Sequence, residues 1–229
     1  MNTDKTKEIY RRLKIRNIHF GHVCEVGVYL PETSNILNFI LDGVRATLVE
    51  ADPETVEKIR EYFAGYPIEV VPVAIWDSHG FIKLSKAAAS TFVSELKSSP
   101  AIMNDRYKVE EKNTFEVPCR VFSELDDGTI DLLSVDIEGG EWYVIKHMVS
   151  RPKVISIETH GKYYTNPFIK EINKWTKNEN YKVWYKDATD TVFIKKGLLK
   201  PTASERIGTG LALLKMNWKR FKKNFKNAK

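Results

Sequence analysis

A stretch of ten residues, 130–139, has the sequence IDLLSVDIEG, in which the pattern of a buried β-strand ends in acidic side chains. Three other segments show a similar arrangement: 22–27 (HVCEVG), 46–52 (ATLVEAD) and 154–161 (VISIETHG). Helical patterns separate these segments, which is the signature of βαβ units in an open parallel sheet of the α/β class. Ligands of such sheets bind outside the carboxyl ends of the strands. We therefore expect the polar residues that end these strands to form one site.

The rest of the pattern predicts a single domain with appendages. The chain has 229 residues, of which 42% are hydrophobic and 29% charged, and it is long enough to bury one substantial core. Residues 1–19 are expected to form a helical segment, 20–198 the main domain and 199–229 a basic amphipathic tail. Within the main domain, 76–120 is irregular and is interpreted as an insertion or lid. Residues 181–196 predict an antiparallel β-hairpin at the end of the sheet.

Cysteine content and charge disfavour several classes of protein. Only Cys24 and Cys119 occur, and we expect two reduced core thiols in a cytoplasmic protein rather than disulfides or a metal site. No apolar run of about 18 residues and no hydrophobic signal region is present, so we expect neither a membrane span nor secretion by that route. The net charge is +6, but residues 200–229 carry nine Lys or Arg against one Glu. The remainder is therefore slightly acidic, and we expect no nucleic acid partner.

The ends of the first two strand segments favour a nucleoside site. Gly27 allows the backbone to approach a ligand closely, and the Glu50 carboxylate can accept hydrogen bonds from both ribose hydroxyls. The alternative is that Gly27 only makes a tight turn and Glu50 is a solvated strand end. A nicotinamide dehydrogenase is disfavoured, because residues 27–32 (GVYLPE) have one glycine, a bulky Tyr and a Glu where a diphosphate would lie. An acidic loop suits a cationic cofactor without phosphate, and S-adenosylmethionine has that chemistry.

Longer motifs connect these strand ends. Segment 130–142 (IDLLSVDIEGGEW) fits the pattern I-D-x-x-x-x-D-x-E-G-x-E, and it is accompanied by 48–53 (LVEADP), 71–77 (VPVAIWD) and 155–158 (ISIE). Together these stretches resemble the FkbM-type S-adenosylmethionine-dependent methyltransferase family, over residues 20–196. The resemblance implies a Rossmann-like class I methyltransferase fold with a mostly parallel seven-stranded sheet. It also implies O-methyl transfer to a carbohydrate or glycoconjugate hydroxyl.

The resemblance further implies roles for individual residues. The residues expected to bind S-adenosylmethionine are Glu25 and Gly27 at the methionine end, Glu50 at the ribose, Ala74 and Asp77 near the adenine, and Asp136. The family's usual first loop, D-x-G-A-n-x-G, is replaced in this chain by residues 25–31 (EVGVYLP), which lack the second glycine. The geometry of this loop is therefore expected to differ from that of the family.

The ends of the last two strand segments supply the candidate catalytic residues. Asp136 and Glu138 follow one strand, Glu158 and His160 follow the next, and side chains two residues apart on a strand point to the same face. A hydroxyl acceptor must lose its proton, and His is the side chain most often tuned to remove one. We therefore predict His160 as the base, beside Asp136 and Glu138.

Two alternatives to a catalytic His160 stay open. In the first, His160 caps a loop while Glu158 is held in an ion pair. In the second, Asp136, Glu138 and Glu158 bind a divalent cation, because hard oxygen ligands suit magnesium or calcium.

The tail has its own specific pattern. Apolar residues recur at helical spacing and form one continuous stripe: Ile207, Leu211, Leu214, Trp218, Phe221 and Phe225. Basic residues flank the stripe: Lys215, Lys219, Arg220, Lys222, Lys223 and Lys226. A basic amphipathic helix suits an anionic membrane surface, so we predict peripheral membrane association. The alternative is docking on the body of the protein or on a second subunit of a homo-oligomer. The alternative function is a membrane-docked scaffold that binds a nucleoside without catalysis.

Overall fold

The computed structural model describes residues 6–87, 90–211 and 214. The strands of the described residues are β1 (His22–Val26), β2 (Arg45–Val49), β3 (Ile68–Val71), β4 (Ala74–Ile75), β5 (Gly80–Ala87), β6 (Ser90–Val93), β7 (Thr114–Arg120), β8 (Leu132–Val135), β9 (Val154–Glu158), β10 (Tyr181–Lys186) and β11 (Asp190–Lys195). The helices are α1 (Glu8–Lys14), α2 (Leu37–Leu41), α3 (Pro53–Tyr62), α4 (Pro100–Asn104), α5 (Glu141–Lys146) and α6 (Ile169–Asn178), and residues 203–211 are also helical.

Seven strands form the main sheet, in the order β10-β11-β9-β8-β1-β2-β3. The strands from β9 to β3 pair in parallel, whereas β11 runs antiparallel to both β9 and β10. The predicted fold, a mostly parallel seven-stranded sheet with an antiparallel C-terminal hairpin, is confirmed. Strand β1 is the topological switch point, because the chain proceeds from it to β2 on one side and later to β8 on the other.

Two apolar cores cover the faces of the main sheet. Neighbouring residues of one strand enter different cores, as Leu132 and Leu133 do, because successive side chains of a strand point to opposite faces. The first core contains Leu13 of α1, and the second contains Ile145 of α5. Both cysteines are free and buried, as predicted. The sheet is thus fixed on both faces, and its carboxyl edge is left for the site.

Local signals explain how the first half of the sheet is connected. Asp52 caps α3, since its Oδ1 accepts a hydrogen bond from the Glu54 N–H at 3.0 Å and Pro53 is the first helical residue. The connection from β1 to β2 is broken into a 3-10 turn at Pro31–Thr33 and the helix α2. The side chain of Glu25 explains the break, because it accepts a hydrogen bond from the Asn35 N–H at 2.9 Å.

The segment interpreted as an insertion or lid is built on a second sheet, in the order β4-β7-β5-β6. The chain leaves the main sheet where β3 ends at Val71. Pro72 follows directly, and it has no N–H to donate to the sheet. Strand β4 then pairs with β7, so the second sheet begins immediately beside the carboxyl end of β3.

The first part of the tail docks on the body of the protein. Buried Glu205 forms ion pairs with Arg12 at 2.9 Å and Arg16 at 2.7 Å, and Thr209 donates a hydrogen bond to the Trp184 carbonyl at 3.0 Å. These contacts join residues 203–211 to the N-terminal segment and to β10. The docking alternative therefore holds for this part of the tail.

The apolar stripe of the tail is nonetheless exposed where the structure describes it. Ile207, Leu211 and Leu214 are 63%, 61% and 67% exposed. The rest of the predicted stripe, Trp218, Phe221 and Phe225, lies outside the described residues, as do the flanking basic residues from Lys215 onward. None of the helices in the described residues is long and apolar enough to cross a membrane.

Candidate active site

A cleft of about 270 Å³ opens at the carboxyl ends of β1, β2 and β8, where the strand order reverses. The second sheet forms its opposite wall, with Lys86 of β5 and Thr91 and Phe92 of β6. The structure places these predicted site residues in the cleft: Gly27, Glu50, Ala74, Asp136 and Glu138. The expectation of one site at the strand ends therefore agrees with the geometry for these residues.

Glu50 connects two loops of the cleft. Its Oε2 accepts a hydrogen bond from the Val28 N–H at 2.9 Å, and its Oε1 accepts one from the Asp52 N–H at 2.7 Å. Burial raises the pKa of Glu50 above its ordinary value, and these backbone donors oppose the shift. Each carboxylate oxygen has a second lone pair, so a ligand hydroxyl can be bound without loss of either loop contact.

Two residues predicted to bind the cofactor lie outside the lining of the cleft. Buried Glu25 holds the turn before α2, where it accepts hydrogen bonds from the Ser34 hydroxyl and the Asn35 N–H, and burial raises its pKa to about 7. Asp77 instead forms ion pairs with Lys146 at 2.5 Å and His147 at 2.8 Å, at the end of α5. Neither position supports direct contact with the cofactor.

His160 does not line the cleft either. Its Nδ1 lies 2.9 Å from the Thr159 hydroxyl, and its Nε2 lies 3.2 Å from the carbonyl oxygen of Asp187 in the turn of the hairpin. The His160 backbone also forms a bridge with Thr165. These contacts favour the alternative in which the imidazole holds a loop, and they do not support the prediction of a catalytic base.

Glu138 has the features of a reactive group. Its φ of +57° lies in the left-handed region, which is unusual for a residue other than Gly, Asn or Asp and is often found at functional sites. Its Oε1 accepts a hydrogen bond from the Ser90 hydroxyl of the second sheet at 2.9 Å. Its Oε2 is buried and has no hydrogen-bond partner among the described residues. Burial raises the pKa of Glu138, which makes its carboxylate a stronger proton acceptor.

The carboxylates that meet beside the cleft differ from the predicted set. Oxygen atoms of Asp136, Glu141 and Glu158 lie within 4.8 Å of one another, whereas Glu138 turns toward Ser90. Glu141 was not among the predicted site residues. The signal was present as the last position of the I-D-x-x-x-x-D-x-E-G-x-E pattern, three residues after Glu138.

Glu141 also shapes the loop that carries Glu138. Its Oε1 accepts hydrogen bonds from the N–H groups of Ile137 at 3.1 Å and Gly139 at 2.9 Å, and its Oε2 accepts one from the Asn166 side chain. The backbone on both sides of Glu138 is therefore bound to one carboxylate. This arrangement supports the left-handed conformation of Glu138.

The charge of the cleft fits S-adenosylmethionine. Five carboxylates and two lysines line it, and Lys86 is already paired with Asp52 and Glu54 at 2.7 Å each. An excess of negative charge attracts a sulfonium and an ammonium group and repels a diphosphate. Ala74, together with Val73 and Ile75, adds an apolar wall on which an adenine ring can pack.

The sheet order and the cleft at its switch point define a class I methyltransferase. The chain belongs to the FkbM methyltransferase family, because residues 25–183 match the methyltransferase FkbM domain. The resemblance seen in the sequence is therefore confirmed. Membership implies S-adenosylmethionine as the methyl donor, and the charge and the glycine at the first loop fit that cofactor.

Solved structures of other methyltransferases are similar to this chain. A predicted O-methyltransferase from Agrobacterium tumefaciens is 15% identical, with a TM-score of 0.40 and coverage of 77% of this chain and 74% of that one. The precorrin-6y C5,15-methyltransferase from Geobacter metallireducens is 12% identical, with a TM-score of 0.40 and coverage of 82% and 86%. None of the curated proteins matches the chain.

Proposed function

We propose that the protein transfers a methyl group from S-adenosylmethionine to a hydroxyl oxygen of a carbohydrate or glycoconjugate. The observation that carries the proposal is Glu138, a strained and half-buried carboxylate in the lining of the cleft with one buried oxygen that has no partner among the described residues. A neutral hydroxyl is a poor nucleophile, and a positioned carboxylate supplies the proton acceptor that it needs.

In this proposal the cofactor is held by residues that follow β1 and β2 of the main sheet and by Ala74 of β4 in the second sheet. Glu50 would accept hydrogen bonds from the ribose hydroxyls, Ala74 would contact the adenine, and the backbone at Gly27 would lie at the methionine end. Asp136 closes the cleft between β1 and β8, next to the reacting groups. These assignments follow from the lining of the cleft and from the family's binding mode.

The second sheet holds the acceptor. When bound, S-adenosylmethionine supplies an electrophilic methyl group, whose bond to sulfur breaks as its bond to the acceptor oxygen forms. Glu138 Oε2 orients the acceptor hydroxyl and takes its proton, while Ser90 fixes the other oxygen of the same carboxylate. The acceptor class is proposed from the family resemblance, and Lys86 and Thr91 supply polar contacts on this wall.

The test is the variant Glu138→Gln, which keeps the size of the side chain and removes the proton acceptor. We expect methyl transfer from labelled S-adenosylmethionine to a panel of oligosaccharides to fall by about 10²- to 10⁴-fold, with cofactor affinity unchanged. The matched control is Glu57→Gln, an exposed change on α3. Full activity in Glu138→Gln would remove Glu138 from this role, and failure of the wild type to bind S-adenosylmethionine would refute the function.

A second proposal concerns the tail. The exposure of Ile207, Leu211 and Leu214 supports attachment of a cytoplasmic methyltransferase to an anionic membrane surface. The contacts of Glu205 with Arg12 and Arg16 would then fix the attached helix to the body of the protein. This surface would bring the cleft near membrane-linked glycoconjugates.

A further inference from the structure

Three acidic side chains from three different elements converge at one point behind the cleft. Asp136 follows β8, Glu141 is the first residue of α5, and Glu158 is the last residue of β9. Each offers an oxygen within 4.8 Å of the others. Asp136 also lines the cleft, so this acidic cluster of Asp136, Glu141 and Glu158 borders the space where transfer is proposed.

The acidic cluster contains one unsatisfied buried atom in the described residues. Glu158 is only 4% exposed, and its Oε2 has no hydrogen-bond partner among the described residues. Four buried side-chain atoms in the described part of the chain lack a partner, and the Glu138 Oε2 and the Tyr164 hydroxyl are two of the other three. A buried and unpartnered oxygen of Glu158 within a cluster of three carboxylates indicates a ligand.

The described residues offer no ion pair to these carboxylates. No ion pair within residues 6–87, 90–211 and 214 involves Asp136, Glu141 or Glu158. Adjacent buried carboxylates cannot all ionise without a compensating charge. A bound cation would supply that charge and would also use the unpartnered Glu158 oxygen.

We infer that the acidic cluster binds one hard divalent cation of the magnesium, manganese or calcium class, through one oxygen each of Asp136, Glu141 and Glu158. Such ions hold oxygen ligands at about 2.1–2.4 Å, so ligands on opposite sides of the ion are about 4.2–4.8 Å apart. The spacing of the three oxygens is within this limit. Water or an acceptor hydroxyl would complete the coordination from the side of the cleft.

Binding of the cation does not depend on the proposed methyl transfer, whereas a role of the cation in catalysis rests on that proposed function. A cation held by the acidic cluster would polarise the acceptor hydroxyl and lower the pKa of that group, and Glu138 would take the proton. The cation and Glu138 therefore act on the same hydroxyl but can be separated by mutation.

The experiment titrates the full chain with MnCl₂ and counts bound ions by the loss of the free-ion electron paramagnetic resonance signal. We expect one Mn²⁺ per chain, competed by MgCl₂ or CaCl₂, and a raised melting temperature in its presence. Glu158→Gln should weaken Mn²⁺ binding by more than about tenfold. Glu138→Gln is the matched control, because it lies beside the cluster but contributes no ligand, and it should bind Mn²⁺ normally while it loses methyl transfer.

Two results would overturn the inference: a wild-type chain that binds none of the three ions at millimolar concentration, or equal Mn²⁺ affinity in Glu158→Gln. If Glu158→Gln does not fold, Asp136→Asn takes its place with the same expectation. Binding of Mn²⁺ by a chain that binds no S-adenosylmethionine would support the cation site and refute the proposed methyl transfer, so the two failures are distinguishable.

Discussion

The α-carbon of Gly27 faces the backbone carbonyl of Asp136 so closely that an added Cβ would lie 1.9 Å from its oxygen. Gly27 also has a φ of +86° and donates a hydrogen bond from its N–H to the Val49 carbonyl at 2.9 Å. This glycine therefore lets β1 and the loop after β8 touch at the floor of the cleft. Packing of these two segments therefore requires a glycine at position 27, whether or not a ligand is bound.

We predict that Gly27→Ala destabilises the protein and abolishes cofactor binding. The control is Gly43→Ala, which has a similar φ of +82° but no atom within 4 Å of the added Cβ. Both variants suffer backbone strain of about 1–2 kcal/mol, and only Gly27→Ala adds a clash, worth about 1–3 kcal/mol more. Urea unfolding measures the difference. Equal stabilities of the two variants would contradict the close contact.

We predict that Glu50→Ala weakens S-adenosylmethionine binding by about 1.5–3 kcal/mol, because it removes charge-assisted hydrogen bonds to the ribose. Calorimetry measures this change. Because the Val28 and Asp52 N–H groups also lose their acceptor, some stability should be lost as well. Glu25→Gln is the control: it changes a buried carboxylate outside the cleft lining, so affinity should hold. Unchanged affinity in folded Glu50→Ala would exclude Glu50 from the ribose site.

The raised pKa of Glu25 predicts that the stability of the protein depends on pH. Burial raises its pKa from 4.5 to about 7, so the native state binds a proton more tightly than the unfolded state. Between pH 4.5 and about 7 the native state therefore carries more protons at Glu25 than the unfolded state does. The contribution of Glu25 to the free energy of unfolding falls as the pH rises through this range and levels off above about pH 7. The difference between the wild type and Glu25→Gln in urea unfolding isolates this contribution. Parallel pH profiles of the two proteins would contradict it.

The tail prediction uses the double variant Leu211→Ser with Leu214→Ser. Both leucines are exposed, so the melting temperature should not change, while binding to anionic vesicles should weaken by about tenfold or more. Wild-type binding should weaken with salt and be much lower on neutral vesicles. Truncation after Pro201 is a poorer test, because it also removes Glu205 and should lower the melting temperature.

Vesicle sedimentation at low salt, with thermal melts of each variant, separates the outcomes for the tail. Absence of wild-type binding to anionic vesicles would refute the membrane proposal. A loss of dimer in the double variant, measured by analytical ultracentrifugation, would instead show that the stripe contacts a second subunit.

The predicted site residues that lie in the cleft are those whose positions are set by the backbone. Gly27, Glu50 and Asp136 directly follow buried parallel strands, and strand ends must meet at one edge of the sheet. The hairpin of residues 181–196 and the start of α3 at Asp52 and Pro53 also have patterns that can be read from neighbouring residues. These features depend on neighbouring residues in the chain, and a single sequence contains that information.

The positions that the sequence misplaced depend on partners far along the chain. His160 is held by Asp187, and Asp77 by Lys146 and His147, and neither pairing has a pattern that can be read locally. Glu141 was missed because its side chain folds back on its own loop, although its position marks it as a helix start. The path of long polar side chains is set by tertiary contacts rather than by periodicity.

Strand β11 lies between β9 and β10, so β10 joins the main sheet only through a strand that follows it in the chain. During synthesis, residues 181–186 therefore precede the strand that joins them to the sheet, and they can pair with it only after residues 190–195 have been made. Asp190, which pairs with Glu158 at the edge of the acidic cluster, arrives with the same strand. The edge of the sheet beside Glu158 is therefore complete only once residues 190–195 have been added.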